Sequence, residues 1–111
     1  MPLRAKEKFQ SAEKGETEIL IPALVFAELA YLSENNRIDT ILADAARTLS
    51  KYKTIKEYPM TFETVRNAFE IDDIPELHDR LISAVAKELD IEIITNDPEI
   101  ERSAHVRTIW K

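Results

Sequence analysis

Ile91-Glu92-Ile93-Ile94-Thr95-Asn96-Asp97-Pro98 is the stretch that decides the fold. Its first five residues are mostly β-branched and predict a strand over 91–95. Asn96-Asp97-Pro98 then ends that strand, because Asp is a good N-cap and proline suits the first position of a brief helix. Upstream, Pro75 is expected to start a helix that carries Leu77, Leu81, Val85 and Leu89 on one face. Downstream, Val106 to Trp110 reads as a closing strand.

The same alternation continues toward the N-terminus. Pro2 suits the first turn of a charged helix with a weak apolar face of Leu3, Phe9 and Ala12, and Gly15 is its stop. Glu18 to Ile21 reads as a buried strand ended by Pro22. Ala23 to Leu32 is helical in composition and apolar nearly all round, so deep burial is expected. Ile38, Ile41, Leu42, Ala45, Leu49 and Tyr52 have amphipathic helical spacing. Ile55 to Met60 reads as a strand, with Pro59 at a sheet edge or end. Thr61 can cap a short helix carrying Phe62, Val65 and Phe69, and Asp72 to Pro75 is a loop. Strands alternating with helices imply an α/β domain over 1–111, with a mainly parallel sheet and helices on both faces.

At 111 residues, with 44% hydrophobic and 32% charged residues, the chain has a globular balance and length for one ordinary domain. The absence of cysteine excludes disulfides, thiol nucleophiles and zinc–thiolate sites, and suits a reducing cytoplasm. The longest apolar run, Ile19 to Leu32, is interrupted by Pro22 and Glu28 and is too short to span a bilayer. A net charge of −6 disfavours a module that holds nucleic acid by charge alone. It is compatible with acidic side chains that hold cations, which then meet phosphates. One glycine rules out a glycine-rich phosphate loop, and with His78 and His105 as the sole histidines no nucleophile–His–acid arrangement competes.

Three of the 21 acidic residues are out of place. Glu28 is the one charged residue between Ile19 and Leu32, where a carboxylate needs an Arg or Lys partner, partial exposure or a ligand. Asp79 sits early in its helix, where it could simply complement the helix dipole, but Ile82, Ser83 and Ala86 share its face. Asp97 follows the end of the best strand, where ligands collect in parallel sheets, although an N-cap role accounts for it equally. Thr95 adds a hydroxyl at the same end. Converging carboxylates repel one another unless a cation joins them, and hard oxygen ligands select Mg²⁺ or Mn²⁺.

Taken together, Ile21-Pro22-Ala23-Leu24-Val25-Phe26-Ala27-Glu28-Leu29, Leu77 to Ala86 and Ile93-Ile94-Thr95-Asn96-Asp97 resemble the PIN-domain family, in particular VapC-type toxins. The motifs occur in the family's order from about Gly15 onward. The resemblance implies a PIN-like, Rossmann-like three-layer α/β/α fold. It also implies Mg²⁺- or Mn²⁺-dependent cleavage of RNA phosphodiesters by an activated water. Glu28, Asp79 and Asp97 match the family's metal-binding acids, and Thr95 matches a supporting hydroxyl. A homodimer and a cognate VapB-like antitoxin are the implied partners.

The family begins with a central strand carrying a further Asp, and nothing ahead of Gly15 resembles it. The first strand is therefore expected to be missing, leaving a gap between its neighbours. Three accounts fit: an internal methionine read as the start, a degenerate paralogue, or a second chain supplying the strand unless the remaining strands close up. The alternative function is a catalytically inactive PIN-like module that binds an antitoxin or itself. A receiver-type phosphotransfer domain fits less well, because no suitably placed Lys follows the final strand. Phe62, Phe69, Tyr52, Ile41 and Leu49 are expected in core or dimer packing, and Trp110 is expected to close the core or an interface. His78 is expected to be an ordinary partly buried side chain, and Arg80 either an ion-pair member or a phosphate guide.

Overall fold

The computed structural model of the chain describes residues 1–35 and 41–111. Its elements run α1 (Leu3–Glu13), β1 (Ile19–Pro22), α2 (Ala23–Asn35), α3 (Ile41–Lys51), β2 (Ile55–Tyr58), α4 (Phe62–Ala68), α5 (Leu77–Leu89), β3 (Ile93–Ile94), α6 (Pro98–Glu101) and β4 (Thr108–Ile109). Ile38 lies outside the described residues, as does the side chain of Ile41. The chain forms two compact units, one of Lys8–Pro59 and one of Met1–Glu7 with Met60–Lys111.

In the Lys8–Pro59 unit, β1 and β2 pair in parallel, with Ile19 opposite Ile55 and Pro22 opposite Tyr58. A parallel pair needs a crossover, which runs through α2 and α3. Gly15 ends the helical segment before β1 with φ +79°, a left-handed conformation that a side chain would disfavour. Thr54 ties the strand to this segment by donating its hydroxyl to the Ala12 carbonyl. Helix α2 corrects one expectation: of its thirteen residues Ser33 alone is buried, while Tyr31 and Leu32 are exposed. Within this unit its main contacts are with α3 and β1, too few neighbours to cover a helix that is apolar all round.

In the other unit, β3 and β4 pair in parallel, with Ile93 opposite Thr108 and Ile94 opposite Ile109. The clearest strand of the sequence is thus shorter than the 91–95 expected. Asp90 ends α5 in the left-handed region (φ 53°), and the following Ile91 amide donates to the Ala86 carbonyl as a helix-terminating turn. That turn removes Ile91 from the ladder, although Thr95 still donates to the Ile109 carbonyl. Helix α5 begins at Leu77 rather than at Pro75, because Glu76 is its N-cap and accepts the Asp79 amide at 2.7 Å.

Two small cores sit in this unit. Ala68, Ile71, Ile74 and Ala84 pack with Leu81, and Ala86, Ile93 and Ile100 pack with Val106. The small residues Ser83, Ala84 and Ala86 on α5 let neighbouring elements approach closely. Thr61 caps helix α4 as expected, and the structure adds a capping box closed reciprocally by Thr64. Its Phe62 and Phe69 are 76% and 62% exposed, which excludes them from the core. The buried face of α4 carries Thr64 and Ala68 instead. Trp110 is half-buried, and its carbonyl accepts the Ala5 amide.

Candidate functional site

Of the expected site residues, Thr95 and Asp97 lie just past the C-terminal end of a strand, whereas Glu28 and Asp79 lie on helices. Glu28 lies on α2, which follows β1 without an intervening loop, in the Lys8–Pro59 unit. Thr95 and Asp97 follow β3, and Asp79 lies in the first turn of α5; these three belong to the other unit.

Asp97 is the N-cap of α6, with Oδ1 accepting the Glu99 amide at 2.8 Å and Pro98 in the first turn. Its own amide donates to Thr95 Oγ1 at 3.1 Å, so Thr95 and Asp97 hold one another's orientation. The N-cap bond uses one carboxylate oxygen and is compatible with a ligand on the other. Asp79 is half-buried, and Ser83 and Ala86 on its side of the helix are buried. Its amide is held by the Glu76 cap, and that bond is the largest cause of the Glu76 carboxyl lying below its ordinary pKa.

Glu28 is the anomaly. Its Oε1 is buried and has no hydrogen-bond partner among the described residues. Among the described residues, the pairing with Arg or Lys that would have made it ordinary does not occur at this atom. A buried, unsatisfied carboxylate oxygen costs several kcal/mol in an apolar setting, by the order of magnitude of such transfers. A hard cation satisfies such an atom, so the donor chemistry fits a divalent metal. Ser83 Oγ is also buried without a partner among the described residues, but a hydroxyl is neutral and its cost is smaller.

A second group was not singled out from the sequence. Asp72, Asp73 and His105 bring ligand atoms within 4.8 Å of one another. Their bonds describe a clasp more than a metal site. Lys87 Nζ donates to His105 Nδ1 at 2.8 Å, which puts the ring proton on Nε2, and this donates to Asp72 Oδ1 at 3.0 Å. A metal at Nδ1 would have to displace an ammonium. Asp73 accepts from the Ser103 hydroxyl and the Ala104 amide, both at 2.7 Å. The Ala104 amide, followed by the Ser103 hydroxyl, holds the Asp73 carboxyl below its usual range, and the His105 ring does the same for Asp72. Thirty residues separate Asp73 from Ser103, and no local pattern in the sequence links them.

Arg80 forms no ion pair among the described residues. Its Nε donates to the Ile74 carbonyl at 2.8 Å and its guanidinium stacks over the Phe69 ring at 5.2 Å. His78 is exposed rather than partly buried, with Nδ1 2.9 Å from Glu76 Oε1. Among the described residues no helix is long and apolar enough to cross a membrane.

Compared with protein-family models, the chain matches the PIN domain over residues 2–106. The chain belongs to the PIN domain family. The PIN-like α/β fold follows, and the parallel pairing of both ladders is consistent with its α/β/α layering. PIN domains are in general nucleases that depend on divalent metals. No curated protein matches the chain.

Proposed function

We propose that this chain, one PIN-like domain over residues 1–111, is a Mg²⁺- or Mn²⁺-dependent endoribonuclease of the VapC toxin type, acting in the cytoplasm. The observation that carries the reading is the buried Oε1 of Glu28, without a partner among the described residues, in a chain of a nuclease family. Glu28, Asp79 and Asp97 are the proposed metal ligands. Asp97 is oriented for that role by the Thr95 hydroxyl behind its amide. A divalent ion held by such carboxylates supplies a water of lowered pKa and neutralises charge on the RNA phosphate. The chain's own net charge of −6 repels RNA, so affinity for the phosphates depends on the bound cation. A VapB-like antitoxin that silences the enzyme, and a homodimer, complete the reading.

The test is cleavage of single-stranded RNA with Mn²⁺ or Mg²⁺. Wild type is expected to cut and the Asp97→Asn variant to fall to background. Asn caps a helix as well as Asp does, so the variant should keep its fold. If the wild-type chain cuts with neither metal, the enzymatic reading fails. If calorimetry then shows no Mn²⁺ binding beside tight association with a protein partner, the chain is a binding-only PIN module.

A further inference from the structure

Two helices of this chain carry the same pattern, an Asp in the first turn and a hydroxyl four residues later. On α3, Thr48 donates its hydroxyl to the Asp44 carbonyl at 3.0 Å, a local bond open to any helical Ser or Thr. On α5, Ser83 stands in the same relation to Asp79 and does not make that bond. Ser83 is 0% exposed, and its Oγ has no hydrogen-bond partner among the described residues. A fully buried hydroxyl that leaves a local acceptor unused is a donor still without its acceptor.

The packing of α5 says where this hydroxyl lies. Asp79, Ser83 and Ala86 follow one another at spacings of four and three, so they share one face of the helix. Ala86 packs with Ile93 and Ile100, which turns that face toward β3 and α6. Ala84 belongs to the other core, with Ala68, Ile71 and Ile74. The Cα–Cβ bonds of a helix lean toward its N-terminus, so the Ser83 side chain points back to the turn that carries Asp79. The chain reverses at Asp90, and Ile93 already meets Ala86, so β3 runs back along α5. With rises of about 1.5 Å per helical residue and about 3.3 Å per strand residue, Ser83 comes roughly level with Ile94–Thr95. By the same rises Asp79 comes roughly level with Asn96–Asp97. Ser83 thus lies one turn behind Asp79, on the face turned to Asp97.

Asp97 already has a hydroxyl of this kind, since its amide donates to Thr95 Oγ1 at 3.1 Å. We propose that Ser83 is the positioning residue of Asp79: when one oxygen of that carboxylate engages a divalent cation, the other accepts from Ser83 Oγ. The inference rests on the metal-binding reading above and adds a residue to it. A carboxylate has acceptor sites on both oxygens, so the two contacts are compatible. A hydroxyl bond to a charged oxygen is among the stronger ones. Because Ser83 is unsatisfied before the cation arrives and satisfied afterwards, its bond contributes to cation affinity rather than to folding. Hydrogen bonds behind a metal's ligands typically change its affinity by roughly 10–100-fold.

The test is Ser83→Ala in the full chain, read by Mn²⁺ calorimetry and by thermal unfolding in a chelator. Alanine is the best helix former, so the variant keeps its fold. It should be at least as stable as wild type in the chelator, because the group removed has no partner there. It should bind Mn²⁺ about tenfold more weakly. A merely structural hydroxyl would give the reverse, lower stability with affinity unchanged. Equal Mn²⁺ affinity in the two proteins overturns the role of Ser83 and leaves the metal reading standing. A variant less stable than wild type in the chelator does the same, since the hydroxyl would then be bonded without the cation. A wild type that binds no Mn²⁺ overturns the metal reading and this inference together.

Discussion

Helices α2 and α5 have thirteen residues each, and they teach opposite lessons about burial. Helix α2 is the more apolar, yet most of its side chains are only half covered. Helix α5 is mixed in composition, yet it buries Ser83, Ala84, Val85 and Ala86 in succession. The difference lies in the neighbours. Small residues on α5 accept α4 at close range and share the Ala68, Ile71, Ile74 and Ala84 core. Helix α2 has a two-stranded ladder and α3 in its own unit. Hydropathy states what burial would gain; only packing decides how much is realised.

The contrast can be broken most directly in the cores. Ile71→Ala, at a position 1% exposed, should cost about 3 kcal/mol in urea unfolding. The half-buried Leu29→Ala in α2 should cost about half as much, since less surface leaves water in the native state. Equal losses would show that α2 is as well covered as α5.

Glu28 sharpens the comparison with a change of opposite sign. Glu28 Oε1 is buried with no partner among the described residues, so removing the charge should stabilise the fold, and Glu28→Gln is expected to gain about 1–2 kcal/mol in a chelator. Mn²⁺ should reverse the order, raising the melting temperature of wild type and not of the variant. A variant less stable than wild type in the chelator would mean that the carboxylate has a partner. On α5 the matching acid is the cap: Glu76→Ala should lose about 1 kcal/mol, because the Asp79 amide loses its acceptor.

The smallest effect expected is on pH. Asp73 has its carboxyl lowered by the Ala104 amide and then the Ser103 hydroxyl. A carboxyl depressed in the folded state adds stability that is complete above the ordinary carboxylate pKa. That stability is lost as pH falls through the folded value. Asp73→Asn should therefore flatten the acid limb of the stability curve below about pH 4 and leave neutral pH nearly unaffected. An unchanged limb would show that the clasp does not hold in solution.

Much of the local structure was legible in the residues. Gly15 as a helix stop, Thr61 and Asp97 as N-caps and Pro98 in the first turn are all found where the sequence put them. So are the four strand positions, with β3 trimmed because Asp90 turns left-handed and Ile91 closes the end of α5. The start of α5 was misread: Pro75 is a common helix opener, but the side chain of Glu76 competes better for the cap. The clasp of Asp72, Asp73 and His105 was invisible, since its bonds span about thirty positions. The exposure of Phe62 and Phe69 was equally hidden, since helical spacing alone does not say which face turns inward.

By itself the sequence determined the caps, the strand and helix order and the PIN family, because these depend on bonds within a few residues and on motifs that keep their order. Tertiary structure decided which of two thirteen-residue helices is covered, which face of α4 meets water and that Glu28 Oε1 is left without a partner among the described residues. Those outcomes depend on atoms brought together from distant positions, and no short window of residues contains them.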